Sequence, residues 1–220
     1  MRYYTVCLDI NGKECLVVGG GEVATRKVAT LLECGARVTV VAPSVTEKLG
    51  LLAEQNKITL RLRPYEHGDL DGMFLVIGAT ADTETNLAIS GEAQRRNMLC
   101  NIADVPEACN FILPAIVKQG DLQIAISTSG KSPAFAKHLR RKLESQFGKE
   151  YATFLELMGR VRKRLLSESH EPEAHKHLFE QLIASGIPEM ISQKNSKGID
   201  KVLGDILGDR FSLDTLGIAL

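Results

Sequence analysis

Short apolar runs alternate with helix-like stretches along the first hundred residues. The runs are rich in β-branched residues and predict strands at 14–19, 36–42, 58–62, 73–79 and 98–103. Between them, apolar residues recur at helical spacing and predict helices at 22–34, 45–55 and 83–96. Nearly continuous apolar strands that alternate with helices are typical of a parallel sheet covered on both faces, so we predict an α/β fold.

An Asn11-Gly12 pair precedes the first predicted strand. Because Asn-Gly favours tight hairpins, we expect residues 3–8 to form a short extra strand at the start of the chain. Gly35 follows the first helical pattern and is expected to end that helix.

The pattern changes after about residue 110. Residues 111–128 contain two β-like runs separated by a Gly-Asp turn. Ser132-Pro133 then predicts the N-cap and first-turn proline of a helix that ends at Gly148. One apolar stripe recurs along that helix at four-residue spacing: Phe135, Leu139, Leu143 and Phe147.

The rest of the chain, from about residue 150, is helical and charged, with pieces divided by glycine and proline. We therefore expect three parts. They are a sheet domain at 1–112, a middle segment of strands and helix at 113–148, and a helical C-terminal domain at 149–220.

Composition narrows the class of protein. The 220 residues include 27 basic and 27 acidic ones, so no general nucleic-acid or membrane surface is indicated. No apolar run approaches the roughly 20 residues of a membrane span, and the first residues do not resemble a signal peptide. Five scattered cysteines without a C-x-x-C pair favour a reducing cytoplasm.

The strongest chemical signal is a glycine turn, Gly19-Gly20-Gly21-Glu22-Val23-Ala24, which satisfies G-x-G-x-x-A between a strand and a helix. Gly19 permits a tight turn, Gly21 lets the backbone approach a pyrophosphate, and Ala24 allows close packing of helix and sheet. The helix N-terminus adds unpaired N–H groups and a positive dipole end. We predict a Rossmann-like dinucleotide site that includes Gly19 and Gly20, and weigh it against a merely structural turn.

The second predicted strand ends without a residue that would identify the dinucleotide. No acidic residue follows Val41 to hold a ribose 2′-hydroxyl, and no arginine follows immediately to hold a 2′-phosphate. The ribose would then be held by backbone groups or by the Ser44 hydroxyl. The choice between NAD and NADP stays open on these residues.

A carboxylate follows the fifth predicted strand, in NIADVPEACNFILPA at 101–115. Ligands bind at the carboxyl ends of parallel strands, so we expect Asp104 to point into a cleft, buried near Phe111, Ile112 and Leu113. There it could act as a general base. From residue type alone, an aspartate that opens a turn before Pro106 is the more common situation.

Four motifs in this order resemble the precorrin-2 dehydrogenase family, the N-terminal module of siroheme synthase: VVGGGEVATRK, GATADTETN, NIADVPEACNFILPA and STSGKSPAFAKHLRRKLE. The similarity runs from about residue 3 to residue 148. It implies a stand-alone enzyme that oxidises precorrin-2 to sirohydrochlorin with NAD. Several members of the family also insert ferrous iron. The resemblance further implies a homodimer formed through the middle segment, with the substrate cleft between the subunits.

The resemblance also assigns site residues. Asp104 would be the essential carboxylate of an N-x-x-D-x-P motif that begins at Asn101, and Asn101 is expected to contact the substrate. The cofactor contacts of the family map to Gly21, Glu22, Val23, Pro43, Ser44 and Thr80. This chain departs from the family at Ala81, where an acid is usual, and at 128–131, where Thr-Ser-Gly-Lys follows Ser127.

Substrate contacts are expected from the middle segment. Ser127, Thr128 and Ser129 form a small-residue turn that opens a helix at the expected substrate cleft. On that helix, Arg140 and Arg141 lie off the apolar stripe and could attract the eight carboxylates of precorrin-2, although a solvated face explains them equally well.

Other kinds of functional site match the sequence less well. Gly130-Lys131-Ser132 is not a P-loop, because the glycine required five residues earlier is Ala125. His175 and His177 are wrongly spaced for one helical face, and Cys109 is interpreted as a core thiol rather than an iron contact, so we expect no metal site. The sequence also lacks the Tyr-x-x-x-Lys pair of short-chain dehydrogenases. A non-catalytic NAD(H)-sensing module is the alternative function.

Overall fold

The structure, a computed structural model, describes residues 3–168 and 175–220. The chain divides into two compact units, Met1–Leu113 and Pro114–Leu220. The three-part division predicted from the sequence stays a prediction. No helix among the described residues is long and apolar enough to cross a membrane.

The first unit is built on a five-stranded parallel sheet in the order β3-β2-β1-β4-β5. Its strands are β1 (Glu14–Val18), β2 (Arg37–Val41), β3 (Thr59–Arg61), β4 (Leu75–Gly78) and β5 (Leu99–Ile102). Its helices are α1 (Glu22–Glu33), α2 (Glu47–Glu54) and α3 (Thr83–Arg95), with 3₁₀ turns at His67–Leu70 and Pro106–Ala108. The predicted Rossmann-like α/β fold is confirmed.

Alternating strand residues build a core on each face of the sheet. Cys15 and Val17 of β1 lie in the core that includes α1 and α2, whereas Leu16 and Val18 lie in the core with α3. All four side chains are buried, and complete burial of an apolar side chain contributes about 1.5–3 kcal/mol. This two-sided packing explains why β1 is apolar at consecutive positions.

The extra strand predicted at 3–8 is wrong. The Asn11-Gly12 turn is present, with Gly12 at φ +66° and the Lys13 amide donating to the Ile10 carbonyl at 3.0 Å. The segment at 3–8 forms no strand, because β1 already pairs with β2 on one edge and β4 on the other. A hairpin therefore has no free edge of β1 to join.

The second unit begins with an antiparallel hairpin and a capped helix. Strands β6 (Ala115–Gln119) and β7 (Leu122–Ile126) meet at the predicted Gly-Asp turn, where Gly120 has φ +58°. Helix α4 (Pro133–Gln146) begins as predicted, because the Ser132 hydroxyl accepts a hydrogen bond from the Phe135 amide at 3.2 Å. It ends two residues before Gly148. Its buried residue is Ala136, while Phe135 in the predicted stripe is 53% exposed.

Among the described residues of the second unit, five further helices follow: α5 (Glu150–Glu168), α6 (Lys176–Ala184), α7 (Ile187–Ser192), α8 (Ser196–Leu207) and α9 (Leu213–Leu216). They share one apolar core that includes Leu157, Leu182 and Leu203, all fully buried. Phe211 is also buried, and the guanidinium groups of Arg164 and Arg210 lie 4.8 and 5.4 Å from its ring centre.

A buried carboxylate joins β3 to the following turn in the first unit. Asp69 is 1% exposed and accepts hydrogen bonds from Arg61 at 2.6 Å and from Arg63 at 2.6 and 2.8 Å. The Arg63 hydrogen bond lowers the pKa of Asp69 most, burial opposes it, and the Glu66 amide and Arg61 add to the lowering, for a pKa of about 2.

We expect Asp69→Asn to destabilise the protein by about 2 kcal/mol at neutral pH, since the pKa of Asp69 lies about two units below its ordinary value. Because the pKa of Asp69 is lower in the folded protein, its carboxylate stabilises the fold at every pH above its unfolded pKa near 3.8. That contribution is lost as the pH falls toward 2. Urea unfolding of both proteins should therefore show a difference that falls to about half near pH 3.

Asp71→Asn is the matched control, because Asp71 is 73% exposed and pairs with Arg96 at 2.6 Å. An exposed pair of this kind contributes about 0–1 kcal/mol. Equal losses of unfolding free energy in the two variants, or a loss for Asp69→Asn that does not change with pH, would contradict the role given to Asp69.

Candidate functional site

Three loops of the first unit leave the sheet side by side at its carboxyl edge. The last residue of β1, Val18, is in register with Gly78 of β4, and Gly78 is in register with Ile102 of β5. The glycine turn, the β4–α3 loop and the segment that carries Asp104 therefore begin at the same level. Ligands of open α/β sheets bind at this edge.

Two of the three glycines in the turn are required by close packing. Gly19 has φ +124°, and a Cβ there would collide with the carbonyl group of Ala79. A Cβ at Gly20 would collide with the carbonyl group of Ser44, and the Gly20 carbonyl accepts a hydrogen bond from the Thr46 amide at 2.9 Å. The turn is thus pressed between the loops that follow β2 and β4.

Gly21 has a different environment. It is the exposed N-cap of α1, makes no side-chain cap hydrogen bond, and a Cβ there would meet no atom within 4 Å. The amides of the first turn, at exposed Glu22 and half-buried Val23, have no capping side chain from Gly21. Open space beside unpaired amides at the positive end of a helix dipole fits a dinucleotide pyrophosphate.

The loops that flank the turn hold the other predicted cofactor residues. Pro43 and Ser44 are exposed after β2, and the Ser44 carbonyl is the group that contacts Gly20. The Thr80 hydroxyl lies 2.9 Å from the Asp82 carbonyl of its own loop and 3.0 Å from Asn86 Oδ1 of α3, to either of which it can donate. These contacts fix the position of the loops on both sides of the glycine turn. The predicted contacts of Pro43, Ser44 and Thr80 with a cofactor stay predictions.

Asp104 lies in a β-turn just beyond β5. The Val105 amide donates to the Ile102 carbonyl at 3.4 Å, and Asp104, the third residue of the turn, has φ +62°. Aspartate and asparagine are the non-glycine residues that best tolerate this left-handed conformation. The carboxylate is exposed, so the expected burial against an apolar wall is wrong. The wall itself is only partial: Phe111 packs against the core on the α1 face, while Leu113 is exposed.

The buried Cys109 thiol supports this turn. Its sulfur accepts a hydrogen bond from the Ile102 amide at 3.1 Å and lies 3.2 Å from each of the Ile102 and Val105 carbonyls, to either of which it can donate. Asn101 is also buried, and its amide donates to the Phe111 carbonyl at 3.1 Å. Both side chains hold the segment around Asp104, a function that residue type alone did not indicate.

The pKa of Lys27 of α1 is coupled electrostatically to Asp104. Burial lowers the pKa of Lys27, the charge of Arg26 lowers it further, and the charge of Asp104 raises it. Lys27 was not among the site residues predicted from the sequence, because its electrostatic coupling to Asp104 depends on the tertiary fold.

The predicted substrate contacts of the middle segment lie in the second unit. The Ser127 hydroxyl accepts from the Ser129 amide at 3.1 Å, and the Thr128 hydroxyl accepts from the Ser132 amide at 3.1 Å. On α4, Arg140 pairs with Glu144 at 2.6 Å, whereas Arg141 is exposed. Two hydroxyls of the turn thus accept backbone hydrogen bonds within it, and its contact with a substrate stays a prediction.

Side chains of the kinds that bind metals are not clustered among the described residues. No group of three or more His, Cys, Asp or Glu side chains among the described residues could hold a metal ion. Burial raises the pKa of Cys15 to about 11 and that of Cys100 to about 12, which keeps both thiols protonated at neutral pH.

Comparison with known proteins shows the family to which the chain is related. A family described as "Putative NAD(P)-binding" matches residues 6–115, and the family "Sirohaem biosynthesis protein central" matches residues 119–146. The structure resembles that of "SirC, precorrin-2 dehydrogenase" with a TM-score of 0.74 and 27% sequence identity, over 91% of this chain and 98% of that one.

Siroheme synthases are similar over most of this chain. Siroheme synthase of Methylococcus capsulatus is 36% identical over 92% of the chain, and that of Nitrosococcus oceani is 37% identical over 87%. The matches cover 43% and 41% of those proteins, so the chain spans about two fifths of the length of these relatives. The chain therefore belongs to the putative NAD(P)-binding family whose model matches residues 6–115, and it is similar to SirC and to part of siroheme synthase.

Proposed function

We propose that this chain is a precorrin-2 dehydrogenase that forms sirohydrochlorin with NAD as the oxidant. The observation that carries the proposal is the shared sheet edge, at which the open N-terminus of α1 and the Asp104 carboxylate both lie. The similarity to SirC supports it, since it extends over 98% of that dehydrogenase. The names of the siroheme synthases point to the same pathway.

Different residues of the chain bind the cofactor and accept the proton. Bound NAD would accept a hydride from the reduced macrocycle at C4 of its nicotinamide ring. The first-turn amides of α1 bind and orient the pyrophosphate at Gly21. Asp104 accepts the proton that the macrocycle loses, and its exposed position on a rigid turn leaves it accessible to a large substrate.

NAD is proposed over NADP because no arginine directly follows β2 in the sequence. Arg61 of β3 is in register with Val41, yet its guanidinium is bonded to Asp69 at 2.6 Å. A 2′-phosphate at this edge would therefore compete with Asp69 for that guanidinium. Tighter binding of NADP than of NAD would contradict this preference.

We also propose a homodimer formed through the middle segment, in the cytoplasm. Leu113, Ile116 and Phe135 are 47%, 40% and 53% exposed within the chain, and a partner subunit would cover them. The five free cysteines fit a reducing compartment. A monomer in sedimentation equilibrium, or a protein found outside the cytoplasm on cell fractionation, would contradict these assignments.

Gly21→Ala should weaken binding of NAD about tenfold or more, which corresponds to about 1.4 kcal/mol. The added methyl group fits the fold, because it meets no atom within 4 Å, but it takes space beside the first-turn amides. Isothermal titration calorimetry with NAD measures the effect. Gly50→Ala is the matched control, since a Cβ at Gly50 in α2 also meets no atom within 4 Å. Unchanged affinity in Gly21→Ala would exclude this turn as the pyrophosphate site.

Asp104→Asn should reduce turnover about 10²–10⁴-fold with little change in NAD affinity. Asparagine has the same shape and tolerates φ +62°, so the turn is kept while the base is removed. The assay is anaerobic conversion of precorrin-2 with NAD, followed by the absorbance of sirohydrochlorin. Full activity in this variant would remove Asp104 from the mechanism.

The same assay separates the remaining possibilities. If the wild-type chain binds NAD and forms no sirohydrochlorin, the dehydrogenase is excluded and a non-catalytic NAD(H)-sensing module is favoured. Ferrous ion added after the oxidation step tests it as a further substrate. Siroheme formed faster than in a protein-free reaction would establish the chelatase activity.

A further inference from the structure

Helix α1 presents two opposite flanks at the sheet edge. Thr25 lies on one flank, where its hydroxyl is 2.8 Å from the hydroxyl of Thr46, the N-cap of α2. Residues two positions apart on a helix differ by about 200° in direction. Lys27 therefore lies on the other flank, away from α2.

The sheet order determines what this second flank faces. On one side of β1 lie β2 and β3, and on the other side lie β4 and β5. Because the Thr25 flank faces the element that follows β2, the Lys27 flank faces the side of β4 and β5. The chain returns to this face of the sheet after Asp104, since Phe111 packs against the core that α1 helps to form.

The length of the lysine side chain brings its charge to the edge. Helix α1 begins at the carboxyl edge of the sheet and runs back along it, so the Lys27 backbone lies more than one turn below the edge. Helical side chains lean toward the N-terminus of their helix. The half-buried stem of Lys27 therefore leads the ammonium back toward the glycine turn and the loop of Asp104.

The electrostatics agree with this placement. The pKa of Lys27 is lowered by burial first and by Arg26 second, and the Asp104 carboxylate acts in the opposite direction. A carboxylate on another element affects the Lys27 pKa in this way only if it lies nearby. Lys27 and Asp104 form no direct ion pair in the part of the chain that the structure describes, so the attraction acts over a longer distance than a salt bridge.

We propose that Lys27 is a positioning residue of the dehydrogenase site, whose ammonium attracts the Asp104 carboxylate and orients it across the carboxyl edge of the sheet. The inference rests on the proposed function for its catalytic part. It adds a residue from the cofactor-binding helix to the substrate side of the site. One element would thereby align the pyrophosphate and the base together.

Lys27→Met should lower kcat about tenfold or more while the dissociation constant for NAD changes less than about threefold. Lys27→Arg keeps the charge and should recover a substantial part of kcat. In an Asp104→Asn background, Lys27→Met should have almost no further effect, because two residues that act together give non-additive losses. A purely structural lysine would not show this dependence on Asp104.

Arg26→Met is the matched control. Arg26 is the neighbouring cation on the same helix, is exposed, and points about 100° away from Lys27 around the helix axis, so its removal changes the net charge equally from a different flank. Its kcat should stay within about twofold of wild type. Equal losses in Arg26→Met and Lys27→Met, or losses for Lys27→Met and Asp104→Asn that simply multiply, would overturn the proposal.

A second measurement does not depend on turnover. In protein with ¹⁵N-labelled lysine side chains, the pKa of Lys27 should fall further below its ordinary value in Asp104→Asn, because the raising effect of Asp104 is lost. An unchanged Lys27 pKa would show that the two groups are not neighbours, even if the enzyme is active. If wild-type protein forms no product while this shift is present, the proposed function fails and the pairing of Lys27 with Asp104 is retained.

Discussion

The close contact between the glycine turn and its neighbouring loops is the constraint on which the site depends. A side chain at Gly19 would collide with Ala79, and one at Gly20 would collide with Ser44. Because both positions lack side chains, β1 can turn into α1 while held between the loops after β2 and β4. That packing places the N-terminus of α1 at the centre of the sheet edge and leaves the space beside Gly21 open.

The register of the parallel strands aligns the glycine turn with the loops after β4 and β5. Val18, Gly78 and Ile102 end their strands at one level, so the turn around Asp104 starts beside the glycine turn although 80 residues of chain separate them. The thiol of Cys109 and the amide of Asn101 then hold the segment that follows β5. A base held at a defined position on the sheet edge is what proton transfer to a positioned group requires.

The sequence predicted what depends on local pattern, and it failed where distant contacts decide. The strand–helix alternation, the Gly-Asp turn after β6 and the Ser132 cap all follow from neighbouring residues. The strand at 3–8 was wrong because β1 has no free edge, which only the complete sheet reveals. Asp104 was placed correctly beyond β5, but its exposure and its proximity to Lys27 depend on how the loop and α1 pack.

A crystal structure of the chain with bound NAD tests the central claim most directly. We expect the pyrophosphate to accept hydrogen bonds from the first-turn amides of α1 beside Gly21, and the nicotinamide ring to extend along the edge toward Asp104. A pyrophosphate bound away from the glycine turn, or a nicotinamide ring directed toward β3 and away from Asp104, would contradict the account.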